Sequence, residues 1–269
     1  MTQAAVPDCR RAPGMQINSR SRQKWVANLA TLIFVGAWWV YSLFVPAYQV
    51  PGPELVASLM LDIVVDFDLR LQLFYSLYHV LTAIALSFVI GFVLALVSKY
   101  CWQMSGFIDN RATPFLNSFS GIGWLFMAMM WFGVTSGTVI FAVTMILIPF
   151  AIINIRTGLE ELDDEIGELG RSLTRNPILI FFKITLPMLV PYLFATLRTA
   201  FGVGWKVVLT AELFGGNSGV GYMLNSARQE FHTEMIFAII CFIILFVYLS
   251  EVLFFSPLQR QLKRRFARE

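Results

Sequence analysis

Several apolar runs in this sequence reach about 20 residues, the length of a helix that crosses a lipid bilayer. The runs are continuous and lack the alternating polarity of membrane β-strands, so they predict helices and not a barrel. Hydrophobic residues make up 57% of the chain and charged residues 14%, which is too apolar for an ordinary soluble domain. We therefore expect an all-α polytopic membrane protein.

Six transmembrane spans are predicted. A polar, basic tail at residues 1–24, which looks disordered, precedes the first run, and no convincing cleavage site follows that run, so it is interpreted as an uncleaved span. After it, residues 46–258 form the predicted core, and 259–269 a second basic tail. An amphipathic stretch at 54–70 predicts a short helix on the membrane surface. The predicted spans are 25–45, 71–98, 114–134, 138–155, 186–213 and 235–255.

The basic residues predict the orientation of the chain. Of its 20 Lys and Arg residues, 16 lie in segments 1–24, 99–113, 156–183 and 257–269. Loops rich in Lys and Arg stay on the cytoplasmic side. Both termini and the segment between the fourth and fifth spans are therefore predicted to be cytoplasmic.

A dense polar segment, residues 160–187, joins the fourth and fifth spans. Six carboxylates fall within its first nine residues, and Arg171 and Arg175 follow, an order that suits the macrodipole of a short helix. Apolar residues at helical spacing form a stripe along it: Leu162, Ile166, Leu169 and Leu173. The stripe either packs onto its own protein or docks into another one.

The fifth span carries Arg198, Lys206 and Glu212. Charges within a bilayer are costly, roughly 2.5–3.5 kcal/mol at its centre, so they usually face other helices or water. Two interpretations stay open. The three side chains pair with other helices or snorkel to the membrane surface, or Arg198 or Lys206 faces a path for an anionic substrate. A methionine cluster that includes Met127 and Met130 fits core packing better than a gate.

The chain lacks the motifs of an enzyme. No phosphate-binding loop, nucleophile elbow or metal-binding helix motif occurs, so ATP hydrolysis and cofactors are not expected on this chain. His79 and His232 are isolated, and the three cysteines are widely spaced, which does not fit a metal site. A secondary transporter would show inverted repeats with broken helices, and no convincing repeat is present.

Segment 160–187 resembles the EAA loop, the cytoplasmic signature of permeases in ATP-binding-cassette (ABC) importers. Glu168-Leu-Gly170 takes the place of Glu-Ala-Ala, Thr174 stands where the family has glycine, and Leu186-Pro187 closes the motif. Two alanines and the glycine are therefore missing.

Further stretches, within about residues 46–265, resemble the nitrate, sulfonate and taurine branch of these permeases. In the branch, prolines usually precede the tryptophan of the third span, whereas this chain has Ser120 and Gly121, with Phe126 at a further proline position. The matching stretches are Val50-Pro-Gly-Pro-Glu54, Trp124 to Gly133, Leu197-Arg198 through Gly204-Trp205 to Ala211-Glu-Leu213, and Ser218-Gly-Val-Gly-Tyr222.

The resemblance implies a type I ABC importer permease fold with six spans, a short outer amphipathic helix and a cytoplasmic coupling helix. It also implies a homodimer in the lipid of a bacterial inner membrane, two ATPase subunits that bind the ATP, an extracytoplasmic binding protein and no nucleic acid. The residues implied in ATPase coupling are Leu162, Glu165, Glu168, Leu169, Gly170, Arg171, Leu173, Thr174 and Arg175. Those implied in the translocation pathway are Trp124, Met127, Met130, Arg198, Trp205, Lys206 and Glu212. The expected substrate is a small anion such as nitrate, a sulfonate or a related organic acid.

Overall fold

The computed structural model of the chain describes residues 17–46, 48–161, 172, 176–255 and 257, and these contain helices and no strand. The predicted all-α fold class is thus confirmed. Wider π-helical turns occur at Ile108–Ala112, at Phe181–Thr185 and at Glu251–Phe255. The helices are α1 (Ile17–Phe44), α2 (Pro53–Val65), α3 (Phe67–Tyr100), α4 (Trp102–Ser118), α5 (Gly121–Phe132), α6 (Ser136–Glu160), α7 (Ile178–Gly215), α8 (Val220–Gln229) and α9 (Thr233–Ser250).

Four helices among the described residues are long and apolar enough to cross a membrane, namely α3, α6, α7 and α9. The bent pair α4 and α5 makes a fifth candidate if it is counted as one span. In α1 the apolar part, Leu29–Phe44, is shorter than these spans. The predicted count of six spans therefore stays a prediction.

The predicted third span, 114–134, is not a single straight helix. The chain bends by 84° between α4 and α5. Phe119 and Ser120 take extended backbone angles there, with ψ of 130° and 135°, so the helical hydrogen bonds stop and start again. At its other end α5 stops at Gly133, whose φ of 69° is a conformation that favours glycine.

Two boundaries near the start of the chain differ from the prediction. The helix α1 begins at Ile17, inside the segment 1–24 that was expected to be a disordered tail. The surface helix predicted at 54–70 ends at Val65, because Asp66 is extended and its Oδ1 accepts the Asp68 backbone N–H at 2.8 Å. Asp66 therefore caps α3, and residues 67–70 belong to α3.

The main core lies where α3, α5, α6 and α7 meet. The helices approach closely at glycines: a Cβ added to Gly91 of α3 would lie 2.5 Å from Ala151 Cβ of α6. A second cluster joins α2, α8 and α9 through Val56, Ile63 and Ile239. The main cluster consists of Val80, Ala83, Ile84, Trp124, Leu125, Ala128, Val139, Ala142, Val143, Leu147, Ala200, Trp205, Val208 and Ala211.

Candidate functional site

The predicted coupling loop, residues 160–187, is described mainly at its two ends. The structure describes Glu160, the last residue of α6, then Glu161, and the chain from Asn176 into α7. The geometry that bears on coupling is therefore the attachment of the loop to the helices. The predicted coupling residues lie outside the described residues: Leu162, Glu165, Glu168, Leu169, Gly170, Arg171, Leu173, Thr174 and Arg175.

The two ends of the loop are held together where α6 meets α7. The Tyr192 hydroxyl on α7 donates a hydrogen bond to Glu161 Oε2, at 2.5 Å. Gly158 lets the helices touch, since a Cβ added there would lie 2.6 Å from Tyr192 Cβ. At the end of α3, Lys99 Nζ donates to the Leu159 carbonyl oxygen at 3.2 Å. These contacts, which we call the loop base, attach the loop to α3, α6 and α7.

Next to the loop base, Arg156 connects α6 to α4. Its guanidinium forms ion pairs with Asp109, in the π-helical turn of α4, and with Glu160, whose Oε1 lies 2.7 Å from Nε. Asp109 Oδ2 also accepts a hydrogen bond from Ser98 Oγ of α3, at 2.7 Å. Because the Asp109 side chain is only 12% exposed, its interactions are screened less than those of a surface pair. Movement at the end of α6 would therefore reach α4.

The two tryptophans predicted in the translocation pathway lie in the main core. Trp124 of α5 is 8% exposed and its ring meets Phe119 edge-on, with centroids 4.8 Å apart. Trp205 of α7 is 3% exposed and packs against Phe246 of α9, with centroids 5.1 Å apart. Both indole nitrogens are buried without a hydrogen-bond partner among the described residues. In this chain taken alone, both rings pack against other helices.

The methionines of α5 separate by burial. Met127 is partly buried against the main core, whereas Met130 is 86% exposed. Met130 belongs to an exposed apolar face of α5, and Lys206 of α7 is exposed as well. Large side chains on this α5 face are Ile122, Phe126, Met130 and Trp131.

Arg198 is paired within the described part of the chain. Its guanidinium bonds to the carboxylate of Glu251, in the π-helical turn after α9, with Nε donating to Oε1 at 2.7 Å. The two side chains are 36% and 35% exposed. This is the pairing with another helix that the sequence left open as the structural interpretation. Lining of a path by Arg198 stays a prediction.

Glu212 lies in a buried network that joins α3, α7 and α8. The residue is 1% exposed. Ser76 Oγ, on α3, lies 2.8 and 2.7 Å from its two carboxylate oxygens, and His79 Nδ1 lies 2.8 Å from Oε1. The backbone N–H of Gly221 donates to Oε2 at 2.9 Å. Glu212 is thus surrounded by partners, and its predicted place in the pathway stays a prediction.

The same network binds the first N–H groups of α8. These groups have no partner inside their own helix. The Val220 N–H donates to Ser76 Oγ at 2.7 Å, and the Gly219 N–H donates to Gln72 Oε1 at 2.7 Å. A carboxylate is also favoured at the positive end of the helix dipole. We call Gln72, Ser76, His79 and Glu212, with the start of α8, the buried network.

Sequence reasoning missed most of these partners. Ser76 and Glu212 are 136 residues apart in sequence, so no local pattern links them. One signal was available: Gln72, Ser76 and His79 occur at i, i+4 and i+7 in an apolar helix, which places three polar side chains on one face. His79 is structural here, and no group of metal-binding side chains occurs among the described residues.

Comparison with known proteins agrees with this architecture. The family described as binding-protein-dependent transport system inner membrane component matches residues 21–268. The nitrate import permease protein NrtB of Synechococcus elongatus is 26% identical, over 82% of this chain and 88% of its own. The taurine transport system permease protein TauC of Escherichia coli is 24% identical, over 88% of this chain and 87% of its own.

Among solved structures, a chain of the inward-facing MetNI methionine ABC transporter is similar in fold. It aligns with a TM-score of 0.63 and 16% sequence identity, covering 72% of this chain and 96% of that one. At this identity the likeness concerns the fold alone.

Proposed function

This chain belongs to the family of binding-protein-dependent transport system inner membrane components, and on that premise we propose that it forms the pathway of an ATP-driven importer for small anions. It is a permease subunit of an ABC importer and not an enzyme. Separate subunits would bind and hydrolyse ATP, since this sequence has no phosphate-binding loop. The family match over residues 21–268 is the observation that carries the proposal.

The proposed assembly contains two copies of the chain, two cytoplasmic ATPase subunits and an extracytoplasmic binding protein. In it, both termini are cytoplasmic, as the basic residues predict. On α5, which follows the sharp bend after α4, Phe126, Met130 and Trp131 are exposed in the single chain. This apolar face supports a role for α5 at the pathway or between the two copies.

Small anions are proposed as substrates for two reasons. The relatives NrtB and TauC are named for nitrate and taurine. In addition, α7 carries the exposed Lys206, and a positive group lowers the electrostatic cost of an anion in a medium of low dielectric constant. Arg198 could contribute in the same way only when its pair with Glu251 opens. Nitrate, sulfonates and related organic acids are the proposed class.

The coupling loop is proposed to carry movement from the ATPase to the spans. Its apolar stripe, which includes Leu162, Leu169 and Leu173, would dock in a groove of the ATPase. The loop base attaches the start of the loop to α7 through the Tyr192–Glu161 hydrogen bond. The ion pair of Arg156 with Asp109 connects the end of α6 to α4, so movement of the loop would be passed on to α4 and the bend that follows it.

Co-purification with the cognate ATPase tests this docking. The double substitution Glu168→Lys and Leu173→Asp reverses one charge at the proposed contact and places a carboxylate in the apolar stripe. We therefore expect loss of the ATPase from the purified complex. Glu54→Lys, at an exposed position on α2, is the control and should leave co-purification intact. An unchanged yield of ATPase with the double variant would contradict docking at this segment.

A further inference from the structure

A cleft of about 410 Å³ opens between α2, the first turns of α3, α8 and the start of α9. Its floor is largely apolar and includes Leu59, Leu69 and Met235. Three carboxylates line it: Asp68, Glu230 and Glu234. No lysine or arginine of the described residues lines it. We call this the outer cleft, because the predicted topology places it on the extracytoplasmic side.

The surroundings of the outer cleft are acidic too. The predicted outer segments, 46–70 and 215–234, contain six carboxylates but only Arg70 and Arg228 as basic residues. Such an excess creates a negative potential that attracts cationic partners and repels anions. A free anionic substrate is therefore disfavoured as the occupant of the outer cleft.

The chemistry of the lining narrows the occupant further. No three metal-binding side chains of the described residues stand close enough together for a metal ion, so the site does not suit a bare cation. An apolar floor below carboxylates fits a lysine or arginine side chain, whose aliphatic stem packs on apolar surface while its charge meets carboxylates. This points to a basic segment of a protein.

Phe231, between the lining residues Glu230 and His232, supports a protein partner. Its φ is 59°, in the left-handed region that non-glycine residues rarely adopt, and its ring is 87% exposed. The turn thus holds a large, exposed aromatic side chain beside the cleft. Aromatic residues, phenylalanine among them, are enriched in the cores of protein interfaces relative to the rest of the protein surface.

We propose that the outer cleft docks a basic segment of the importer's extracytoplasmic binding protein. The aliphatic stem of a lysine or arginine of that protein packs on the apolar floor, its charge pairs with a carboxylate of the lining, and Phe231 packs against the surface of the binding protein. This inference rests on the proposed function, which supplies the binding protein and the outward orientation. Docking has a second consequence. Because the carboxylates of the outer cleft repel a free anion, the substrate would arrive enclosed in the binding protein.

The buried network connects the helices that form the outer cleft to each other and to α7. Gln72 lines the cleft and also accepts the Gly219 N–H, which attaches α8 to α3. Through Ser76 and Glu212 the same attachment extends to α7. A protein docked in the cleft would therefore contact helices that are already joined to a membrane-spanning one.

The affinity of the importer for its own purified, fluorescently labelled binding protein tests the proposal. The permease–ATPase complex would be placed in lipid nanodiscs, and Kd measured at low and at physiological ionic strength. The combined variant Asp68→Asn, Glu230→Gln, Glu234→Gln should weaken binding by roughly tenfold or more at low salt and flatten its salt dependence. The matched control, Glu54→Gln with Asp62→Asn, removes two exposed carboxylates of the outer segments that lie outside the cleft, so it should weaken binding much less than the triple variant.

A second variant separates docking from folding. Phe231→Gly accepts a φ of 59° without strain and removes the exposed aromatic side chain, so we expect weaker binding with no loss of thermal stability. An unchanged Kd and salt dependence in the triple variant would overturn the proposal. The proposal would also be overturned if the Kd depended on the lipid composition of the nanodiscs and not on the three carboxylates. That result would assign the cleft to lipid headgroups. Failure of the wild-type chain to assemble with an ATPase would instead overturn the proposed function itself.

Discussion

At the scale of single residues, Glu212 shows how the fold tolerates a carboxyl group that is removed from water. A buried carboxylate without partners costs several kcal/mol, but hydrogen bonds to its oxygens offset this cost. Ser76, His79 and the Gly221 N–H supply those contacts. The glycines are part of the same arrangement, because Gly219 has a φ of 105° and a Cβ added there would lie 2.4 Å from the Glu212 carboxylate.

The substitution Gly219→Ala should therefore destabilise the protein. The new side chain would meet the buried carboxylate in a backbone conformation that costs alanine about 1–3 kcal/mol. We expect a lower midpoint of thermal unfolding for the purified chain in detergent. Gly202→Ala is the control, since a Cβ there meets nothing within 4 Å, and alanine favours a helix by up to about 1 kcal/mol. Equal midpoints for Gly219→Ala and wild type would show that the start of α8 is not held as described.

At the scale of elements, the long apolar helices were predictable and their interruptions were not. The spans predicted at 71–98 and 138–155 correspond to α3, Phe67–Tyr100, and α6, Ser136–Glu160, because a long apolar run determines a helix by itself. The bend before α5 was missed, since the bend depends on extended angles at Phe119 and Ser120 within a run that remains apolar.

The π-helical turn of α4 gives an element-scale prediction. Arg156→Gln would remove the ion pairs to Asp109 and Glu160 and leave the proposed ATPase-contact residues, 162–175, unchanged. Coupling changes of about 0.5–2 kcal/mol are typical of such links, so we expect roughly a two- to thirtyfold loss of transport per ATP hydrolysed. The control is Arg111→Gln, an exposed arginine on the same turn. If both variants transport alike, the pair is not part of the coupling.

At the scale of the whole molecule, the fold class and the family followed from the sequence, whereas the pairing of its charges did not. The partner of Arg198, Glu251, lies 53 residues away, and only the packing of α7 against the end of α9 brings the two together. The same holds for Tyr192 and Glu161, 31 residues apart across the coupling loop. Such contacts depend on how helices are arranged, which apolar periodicity does not encode.

The central claim is that this chain has no energy source of its own and is driven through the loop between α6 and α7. Uptake of labelled nitrate or taurine into proteoliposomes tests it most directly, with the binding protein in the external medium. We predict uptake only when the chain is reconstituted with its ATPase subunits and ATP is supplied on the cytoplasmic side. Uptake at the same rate by the chain alone, without any ATPase, would contradict the account and indicate a secondary transporter.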